Sequence, residues 1–335
     1  MRGLRKNKES LKAEIIVPVY CAEQYLVQCL DSLIQQDYGN YHITVVDDCS
    51  PDNGLKIAVR YQNQYPAMIS IIENKENVGQ GRSRMRAVYA TDADYIMFVD
   101  SDDYVAPDYV SRYMRECEDG EYDLVIGGFI KDIGGKLKPF EIADCEYTIL
   151  LYSVACCKAF RREFLVEHGI DFSDSRKGED IYFSVMLYCN QPKYKIIGYK
   201  GYYYRLNPSS TTRSMNYEND YETIVMKMFA QARERIPAEK MTEDMRRKVE
   251  YCYIANIVNA LVVYNHGCGR IRMREKLRRV EEDLKEHYPN YMCNGDLRLF
   301  MPRGISAKIR AGVGVFYWSG RLGLRKVLFS LVAIV

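Results

Sequence analysis

Three carboxylates follow one short apolar run, at Asp100, Asp102 and Asp103. Carboxylates this close repel one another, and a divalent cation among them would relieve the repulsion. Hard oxygen ligands suit Mg²⁺ or Mn²⁺ better than zinc. The alternative is an acidic turn that caps a helix beginning at Pro107, and Asp103 is the member that such a cap would explain best. We interpret the run as a metal site.

A second acidic pair, Asp47 and Asp48, also follows an apolar run. Its carboxylate oxygens could accept hydrogen bonds from a nucleobase or a ribose. Taken alone, the segment is better explained as an Asx turn that leads to a helix capped by Ser50 or Asp52. The first acidic run strengthens the binding interpretation of this pair, because the ends of neighbouring parallel strands line one crevice.

The segment after the third apolar run contains Gly79-Gln80-Gly81 and the arginines Arg82, Arg84 and Arg86. It is not a dinucleotide-binding fingerprint, because Arg84 stands where the third glycine of GxGxxG is required. The arginines either donate hydrogen bonds to an anionic ligand or form a solvated basic face.

Two later segments carry polar groups suited to catalysis. Gly178-Glu179-Asp180 precedes an apolar run, so Asp180 either caps a helix or serves as a general base near an acceptor hydroxyl. The four histidines form no spaced pair that could take that role. The run from Tyr202 to Arg213 combines aromatics, arginines and hydroxyls, and is either a loop that binds a diphosphate or sugar, or the edge of a Tyr-rich strand.

Short runs rich in Ile and Val alternate with amphipathic stretches over residues 14–130, which predicts a βαβ sheet covered by helices. The predicted strands are Glu14–Val19, His42–Asp47, Ile69–Glu73, Tyr95–Asp100 and Asp123–Phe129. Apolar residues at helical spacing from Tyr25 to Ile34 predict a helix between the first two strands. Ligands bind beyond the carboxyl ends of such strands, where the acidic segments lie.

Composition limits the class of protein. A chain of 335 residues with a formal charge of +2 can form one large domain or two smaller ones, and lacks the strong basic charge that a nucleic-acid partner would require. Eleven scattered cysteines form no CxxC pair, and the polar N-terminus has no apolar stretch of a secretory signal. These features predict a cytoplasmic protein with reduced thiols.

The last segment of the chain has a composition of its own. Residues 301–335 contain six basic and no acidic residues, interleaved with apolar ones. This pattern is typical of a helix that lies peripherally on the inner face of the cell membrane, and equally of a tail that packs on the catalytic domain. The closing apolar run, residues 327–335, is too short to span a bilayer.

Together these segments resemble the family 2 glycosyltransferases with the GT-A fold, over about residues 12–214. The matching motifs appear in the family's usual order: Ile16-Val-Pro18-Val-Tyr20 with Glu23, Val46-Asp47-Asp48-Cys49-Ser50-Pro-Asp52, Asn77-Val-Gly79 with Arg84, Asp100-Ser101-Asp102-Asp103, Gly178-Glu179-Asp180 and Tyr204-Arg205. Two departures are Cys49, where the family usually has glycine, and Ser83-Arg84-Met85, where it usually has Ala-Arg-Asn.

The resemblance implies an α/β protein of the GT-A class, with a mixed, mainly parallel sheet flanked by helices and a C-terminal helical extension. The residue patterns and the resemblance together predict a polar tail (1–12), a catalytic domain (13–214) made of a nucleotide-sugar half (13–130) and an acceptor half (131–214), a helical subdomain (215–300) and the basic amphipathic segment (301–335).

The resemblance also implies an inverting hexosyltransferase. The donor would be a nucleotide-diphosphate sugar, UDP-linked, and the acceptor a hydroxyl of a glycan or lipid-linked molecule in cell-surface polysaccharide synthesis. Asp47 or Asp48 would contact the base, Asp100 and Asp102 would hold the ribose and the metal-diphosphate with Mn²⁺ or Mg²⁺, and Asp180 would be the base. The further donor contacts implied are Pro18, Tyr20, Glu23, Asn77, Gly79, Arg84, Ser101 and Arg205.

Two other functions are weaker. A nucleotidyltransferase also uses paired acids and a metal, but Val19-Tyr20-Cys21-Ala22-Glu23 stands where its Gly-rich, Lys-containing loop would follow the first strand. A catalytically silent nucleotide-sugar-binding module would not need both Asp102 and Asp180.

Overall fold

The apolar runs of the sequence form strands in the structure, a computed structural model that describes residues 10–207, 218 and 220–333. The described residues form two compact units. The first is drawn from Met1–Ile142, Val154–Arg176 and Asn190–Asn207, and the second from Ala143–Ser153, Lys177–Cys189 and Pro208–Val335. The boundaries expected from the sequence at 12, 130, 214 and 300 stay predictions.

The strands all lie in the first unit. In chain order they are β1 (Ala13–Val19), β2 (Tyr41–Asp47), β3 (Ile69–Glu73), β4 (Tyr95–Phe98), β5 (Tyr104–Val105), β6 (Leu124–Ile126), β7 (Phe129–Ile133), β8 (Lys136–Phe140), β9 (Lys158–Arg161), β10 (Tyr194–Ile196) and β11 (Tyr202–Arg205).

The main sheet has seven strands in the order β10-β6-β9-β4-β1-β2-β3. β9 is antiparallel to β4 and β6, and the other neighbours pair in parallel. All seven residues of β1 are buried, as expected for a central strand covered on both faces. This confirms the mixed, mainly parallel sheet.

A second sheet has four strands in the order β5-β11-β7-β8. The single strand predicted over Asp123–Phe129 is wrong, because the chain leaves the main sheet after β6 and enters the second sheet at β7. Gly127 and Gly128 permit this change: a Cβ at Gly127 would lie 2.1 Å from the Tyr113 hydroxyl, and one at Gly128 2.8 Å from the carbonyl oxygen of Phe140. The break between β6 and β7 is not visible in the sequence, because apolar residues lie on both sides of it.

The helices are α1 (Glu23–Ile34), α2 (Gly54–Gln64), α3 (Gln80–Ala90), α4 (Tyr109–Gly120), α5 (Thr148–Leu151), α6 (Arg162–Glu167), α7 (Glu179–Cys189), α8 (Tyr221–Arg235), α9 (Glu243–Asn259), α10 (Arg270–His287), α11 (Ala307–Arg321) and α12 (Arg325–Val332). The helix predicted between the first two strands is α1, which buries Leu26, Cys29, Leu30 and Leu33 on one face.

The second unit is helical. α7 packs on α5 and α8, α8 packs on α9, and α9 and α10 carry α11 and α12. A π-helical turn, Ala260–Tyr264, continues α9, and short 3₁₀ turns occupy Ala238–Lys240, Tyr291–Cys293 and Gly295–Leu297. The helical C-terminal region expected from the sequence is confirmed. In the part of the chain that is described, none of the helices is both long enough and apolar enough to cross a membrane.

Candidate active site

The carboxyl ends of the parallel strands bring the two acidic segments to one edge of the main sheet. Asp47, the last residue of β2, pairs in register with Val19 of β1 and with Glu73 of β3. On the other side of β1, Asp100 follows two residues after β4. The register of four neighbouring strands therefore places both segments on the side of the sheet where such folds bind ligands.

Asp48 secures the loop that precedes α3. It is buried, and its carboxylate accepts hydrogen bonds from Asn74 Nδ2 (2.9 Å), the Val78 amide (2.8 Å) and the Gly79 amide (2.8 Å). Gly79 has φ +90°, which favours glycine, and it immediately precedes α3. The Asp48 carboxylate therefore serves to hold the loop that precedes α3.

Asp47 has a different environment. It is 4% exposed, and its Oδ2 accepts a 3.3 Å hydrogen bond from the Ser50 amide. Its buried Oδ1 has no hydrogen-bond partner among the described residues. Burial raises the pKa of this carboxyl. Because an unsatisfied buried acceptor is costly, Asp47 is the member of the pair better suited to a donor group on a ligand.

Cys49 follows with φ +57°, in the left-handed region that glycine occupies most readily. This is the position where the resembling family usually has glycine. The departure noted from the sequence therefore leaves the left-handed turn in place, at the conformational cost of a side chain.

A network ties the turn after β2 to the start of α1. Ser50 Oγ accepts from the Cys21 amide (2.8 Å) and donates to Asp52 Oδ1 (2.6 Å), while Asp52 Oδ2 accepts from the Glu23 amide (2.9 Å). Glu23 Oε2 in turn accepts from the Asn53 amide (2.9 Å). Glu23 and Asp52 consequently fix the two turns relative to each other.

Pro18 is buried within β1, and Tyr20 just beyond that strand is 50% exposed. These two residues, both predicted to contact the donor, therefore differ in their exposure. Tyr20 presents an accessible ring surface at the edge of the sheet that carries Asp47.

Arg84 is buried beneath Asp100. Its Nη2 donates to Asp100 Oδ1 at 2.6 Å, and its guanidinium lies 5.7 Å from the Phe98 ring centre and 5.2 Å from that of Phe172. With 1% of its surface exposed, Arg84 does not belong to a solvated basic face. The exposed Arg82 pairs instead with Asp174 (2.6 Å).

Asp103 joins the end of the main sheet to β11. Its Oδ2 accepts from the Tyr202 hydroxyl (2.6 Å) and its Oδ1 from the Arg205 amide (2.7 Å), while the Asp100 amide donates to the same Tyr202 hydroxyl (3.1 Å). Burial, and then the charges of Asp100 and Asp102, raise the pKa of Asp103 well above its ordinary value. Asp103 is therefore not a helix cap: α4 begins later, at Tyr109, after the N-cap residue Asp108.

Asp102 is partly exposed and accepts a 3.3 Å hydrogen bond from Asn207 Nδ2. Burial, and then the charge of Asp100, raise the pKa of Asp102 above its ordinary value. In the described residues no group of three or more potential ligands is arranged to hold a metal. The two carboxylates Asp100 and Asp102 nevertheless fit Mg²⁺ or Mn²⁺ held with substrate phosphate oxygens, since such ions are often bound through only one or two carboxylates.

Arg205 lies in β11, between β5 and β7, and not in a loop. Its Nε donates to the carbonyl oxygen of Asp102 (2.9 Å), its Nη2 donates to Gln28 Oε1 (2.5 Å), and its guanidinium lies 5.0 and 5.4 Å from the ring centres of Tyr25 and Tyr104. The loop interpretation is wrong for 202–205, and the predicted segment from 208 to 213 lies outside the described residues.

Asp180 belongs to the second unit, at the second position of α7. The turn before it depends on Gly178, which has φ +72° and whose Cβ, if present, would lie 2.6 Å from the Tyr221 hydroxyl. Burial raises the pKa of Tyr221, and the charges of Glu179 and Asp180 add to the effect. Asp180 itself is partly exposed.

Some residues that organise the site have no signal of their own in the sequence. Tyr202 and Asn74, which are buried, and Asn207, which is partly buried, act through partners 9 to 105 residues away. Of the remaining predicted contacts, Asn77 accepts from Arg176 Nη2 through its carbonyl oxygen (2.8 Å), and Ser101 is buried. Only the Tyr-rich run around Tyr202 was visible as a pattern.

The chain was compared with known families, proteins and structures. Residues 14–169 match the family described as Glycosyl transferase family 2. The poly(ribitol-phosphate) beta-N-acetylglucosaminyltransferase TarS of Staphylococcus aureus is 29% identical over 233 residues, which are 66% of this chain and 40% of TarS. The uncharacterized glycosyltransferase EpsJ of Bacillus subtilis is 30% identical over 216 residues, 59% of this chain and 62% of EpsJ.

Solved structures show the same fold. A crystal structure of S. aureus TarS 1–349 in complex with UDP-GlcNAc matches with a TM-score of 0.71 and 18% identity, covering 96% of this chain and 90% of that one. The mannosyltransferase PcManGT from Pyrobaculum calidifontis, in complex with GDP-Man and Mn²⁺, matches with a TM-score of 0.54 and 15% identity, covering 96% and 86%.

This chain spans about 40% of the length of TarS. The fold is nevertheless the GT-A fold, with the acidic strand ends in the order expected from the sequence. Residues 14–169, a little under half of the chain, match the model of glycosyl transferase family 2.

Proposed function

We propose that this protein transfers a sugar from a UDP-linked donor to a hydroxyl of a glycan or lipid-linked acceptor, with inversion, in the synthesis of a cell-surface polysaccharide. The observation that carries the proposal is the buried Asp47 Oδ1, which has no hydrogen-bond partner in the described part of the chain and lies at the same sheet edge as the carboxylates Asp100 and Asp102. A hydrogen-bond donor on the nucleotide would pair with Asp47 Oδ1, and a cation bound to the diphosphate would neutralise the charges of Asp100 and Asp102. The named activity of TarS, and UDP-GlcNAc in its crystal structure, support this choice.

The donor site divides into contacting and positioning residues. Asp47 accepts a hydrogen bond from an N–H of the base, while Pro18, Tyr20, Asn77, Gly79 and Ser101 line the nucleotide. Asp48, Glu23, Arg84 and Arg205 act through others: their side chains hold the loop before α3, the turn after β2, the Asp100 carboxylate and the Asp102 backbone.

Asp100 and Asp102 would hold the divalent metal, Mn²⁺ or Mg²⁺. When bound, that ion neutralises charge on the departing diphosphate. Arg84 orients Asp100 by its 2.6 Å contact, and the Arg205 bond to the Asp102 carbonyl fixes the turn that carries the second carboxylate. Mn²⁺ in the PcManGT structure, which has the same fold, supports a metal requirement.

Asp180 is proposed as the general base, on the resemblance and on its position at the start of α7. It removes the proton of the acceptor hydroxyl. The acceptor oxygen then bonds to the anomeric carbon, the bond from that carbon to the diphosphate oxygen breaks on the opposite face, and the proton remains on Asp180. One displacement of this kind inverts the anomeric configuration.

The names of two relatives support the proposed acceptor. TarS and a poly(ribitol-phosphate) beta-glucosyltransferase of Bacillus spizizenii are named for a polyol-phosphate polymer. An acceptor of this anionic class fits a cytoplasmic enzyme that contacts the inner face of the membrane peripherally through residues 301–335. The other interpretation of that segment, packing on the protein, accounts for one face of α11 and α12, which lie on α9 and α10.

The direct test is a donor panel. The purified full chain is incubated with Mn²⁺ or Mg²⁺, a series of nucleotide sugars and polyol-phosphate or glycan acceptors, and release of the nucleoside diphosphate is measured. We expect release from a UDP-sugar that requires metal and is stimulated by acceptor. Tight UDP binding without turnover on any acceptor would instead indicate a silent binding module.

A further inference from the structure

A basic groove lies between α10 and α12 in the second unit, with a volume of about 630 Å³. The start of α10 and the end of α12 are tied by a 3.1 Å hydrogen bond from the Gly269 amide to the Ala333 carbonyl. Four cationic side chains line the groove together with one carboxylate, Glu275: Arg270, Arg274, Arg278 and Lys326. The groove therefore carries excess positive charge.

That charge is largely uncompensated by the protein. Arg278 forms an ion pair with Glu282 one turn along α10 (3.0 Å). Arg270, Arg274 and Lys326 have no ion pair within the described ranges 10–207, 218 and 220–333. Like charges gathered in one groove repel one another, so an anion would be held there favourably.

Two aliphatic side chains, Val327 and Leu331, line the groove and face solvent, and Ile271 on α10 and Leu322 before α12 are also exposed. Ile271 at the start of α10 is 78% exposed, and Val327 and Leu331 on α12 are 60% and 54% exposed. Leu322, just before α12, is 66% exposed. Isolated exposed apolar residues need no explanation, but Val327 and Leu331 lie in the same groove as the cations and give it an apolar side.

The orientation of α12 is fixed by an anchor on its opposite face. Arg325 is buried, lies 3.8 Å from the ring centre of Phe316, and donates through Nη2 to the Phe316 carbonyl (3.0 Å). Phe329 is buried on the same side. Arg325 and Phe329 therefore hold one face of α12 against the protein, while Val327 and Leu331 point outward.

We propose that this surface docks on a bilayer that contains anionic lipids. The groove takes the headgroup phosphate, and the aliphatic side chains enter the acyl boundary, as in interfacial helices. The inference rests on the proposed membrane contact of residues 301–335, and it extends that contact to α10 and specifies the lipid charge. A second copy of the chain fits less well, because a two-fold contact would set the same cations against each other.

The test is flotation of the full chain with vesicles of equimolar phosphatidylglycerol and phosphatidylcholine, against vesicles of phosphatidylcholine alone. We expect binding to the anionic vesicles that falls as salt is raised. The variant Arg274→Gln/Lys326→Gln should lose roughly 30-fold in affinity, from about fivefold for each cation near an anionic surface. Val327→Ser/Leu331→Ser should lose roughly 10-fold or more.

Two substitutions serve as matched controls. Lys285→Gln neutralises an exposed cation on α10 outside the groove, and Val166→Ser removes an exposed aliphatic group on α6. Both should float like the unaltered chain. All variants should keep their thermal unfolding midpoint and their release of nucleoside diphosphate without vesicles.

Equal binding to both vesicle types, or loss in neither groove variant, would overturn the proposal. A dimer in sedimentation equilibrium that Val327→Ser/Leu331→Ser converts to monomer would assign the surface to a second copy. A chain that floats as expected but turns over no donor refutes only the proposed function, and a chain that turns over donor without floating refutes only this inference.

Discussion

At the scale of single residues, the acidic segments contain side chains of two kinds. Asp48 and Asp103 are buried and fully occupied in holding loops and strands together. Asp47 retains an unpaired acceptor, and Asp102 stays partly exposed beside Asp100. Neighbours in the sequence therefore have distinguishable roles, and single substitutions can separate them.

Asp47→Ala should weaken UDP binding by about 10- to 100-fold, the equivalent of one hydrogen bond to a charged group. The free energy of unfolding should fall by only about 1 kcal/mol, because Oδ1 has no partner among the described residues and Oδ2 accepts one long, 3.3 Å hydrogen bond from the Ser50 amide. Asp48→Ala is the matched control: it removes the acceptor of Asn74 Nδ2 and of the partly buried Val78 and Gly79 amides, and should lower the free energy of unfolding by about 1–3 kcal/mol. Calorimetry with UDP and thermal unfolding measure the two effects, and identical behaviour of the variants would contradict the division.

The raised pKa of Asp102 gives a pH dependence with a defined sign. A carboxyl whose folded pKa is raised above 3.8 binds its proton preferentially in the folded state, so it adds stability at low pH that is lost as pH rises through the raised pKa. Urea unfolding of the metal-free chain should show this trend, and Asp102→Asn should reduce it. Mn²⁺ binding should have the opposite trend, because protons compete with the cation.

At the scale of elements, the turns are where local sequence and long-range packing meet. The apolar runs of β1, β2 and β3 and the periodicity of α1 were sufficient to predict these elements, since both signals are local. The change of sheet at Gly127 and Gly128, the burial of Arg84 under Asp100 and the place of β11 inside a sheet were not predictable in this way. Each depends on a partner distant in sequence.

Gly178 offers a test at this scale. Gly178→Ala places a Cβ at a positive φ and only 2.6 Å from the Tyr221 hydroxyl. It should therefore destabilise the second unit by about 1–3 kcal/mol. It should also lower turnover, because the turn it disturbs carries Asp180. Gly134→Ala is the control, because it has φ +59° but no atom within 4 Å, and should cost only the backbone strain of about 1 kcal/mol.

Removal of the clashing hydroxyl should rescue the first variant. Gly178→Ala/Tyr221→Phe is expected to recover part of the lost stability and activity, as measured by chemical unfolding and nucleoside diphosphate release. Equal losses at positions 178 and 134, with no rescue, would mean that the close approach to Tyr221 has no role.

At the scale of the whole molecule, the first unit carries the proposed donor-binding residues and the second unit carries the proposed base. The candidate donor residues were predictable from motif order, because the register of parallel strands brings their ends to one edge. Their division into contacting and positioning groups was not, since it depends on which oxygens the fold leaves unpaired. Asp103 shows this well: a presumed cap is the link between two sheets.

The most direct measurement compares turnover and donor binding in the full chain and in Asp180→Asn. The account predicts that Asp180→Asn binds UDP with Mn²⁺ as the unaltered chain does but loses about 10²- to 10⁴-fold in kcat, the usual contribution of a general base. Asp102→Asn, in contrast, should lose metal-dependent UDP binding in addition to turnover. Full activity in Asp180→Asn would contradict the account.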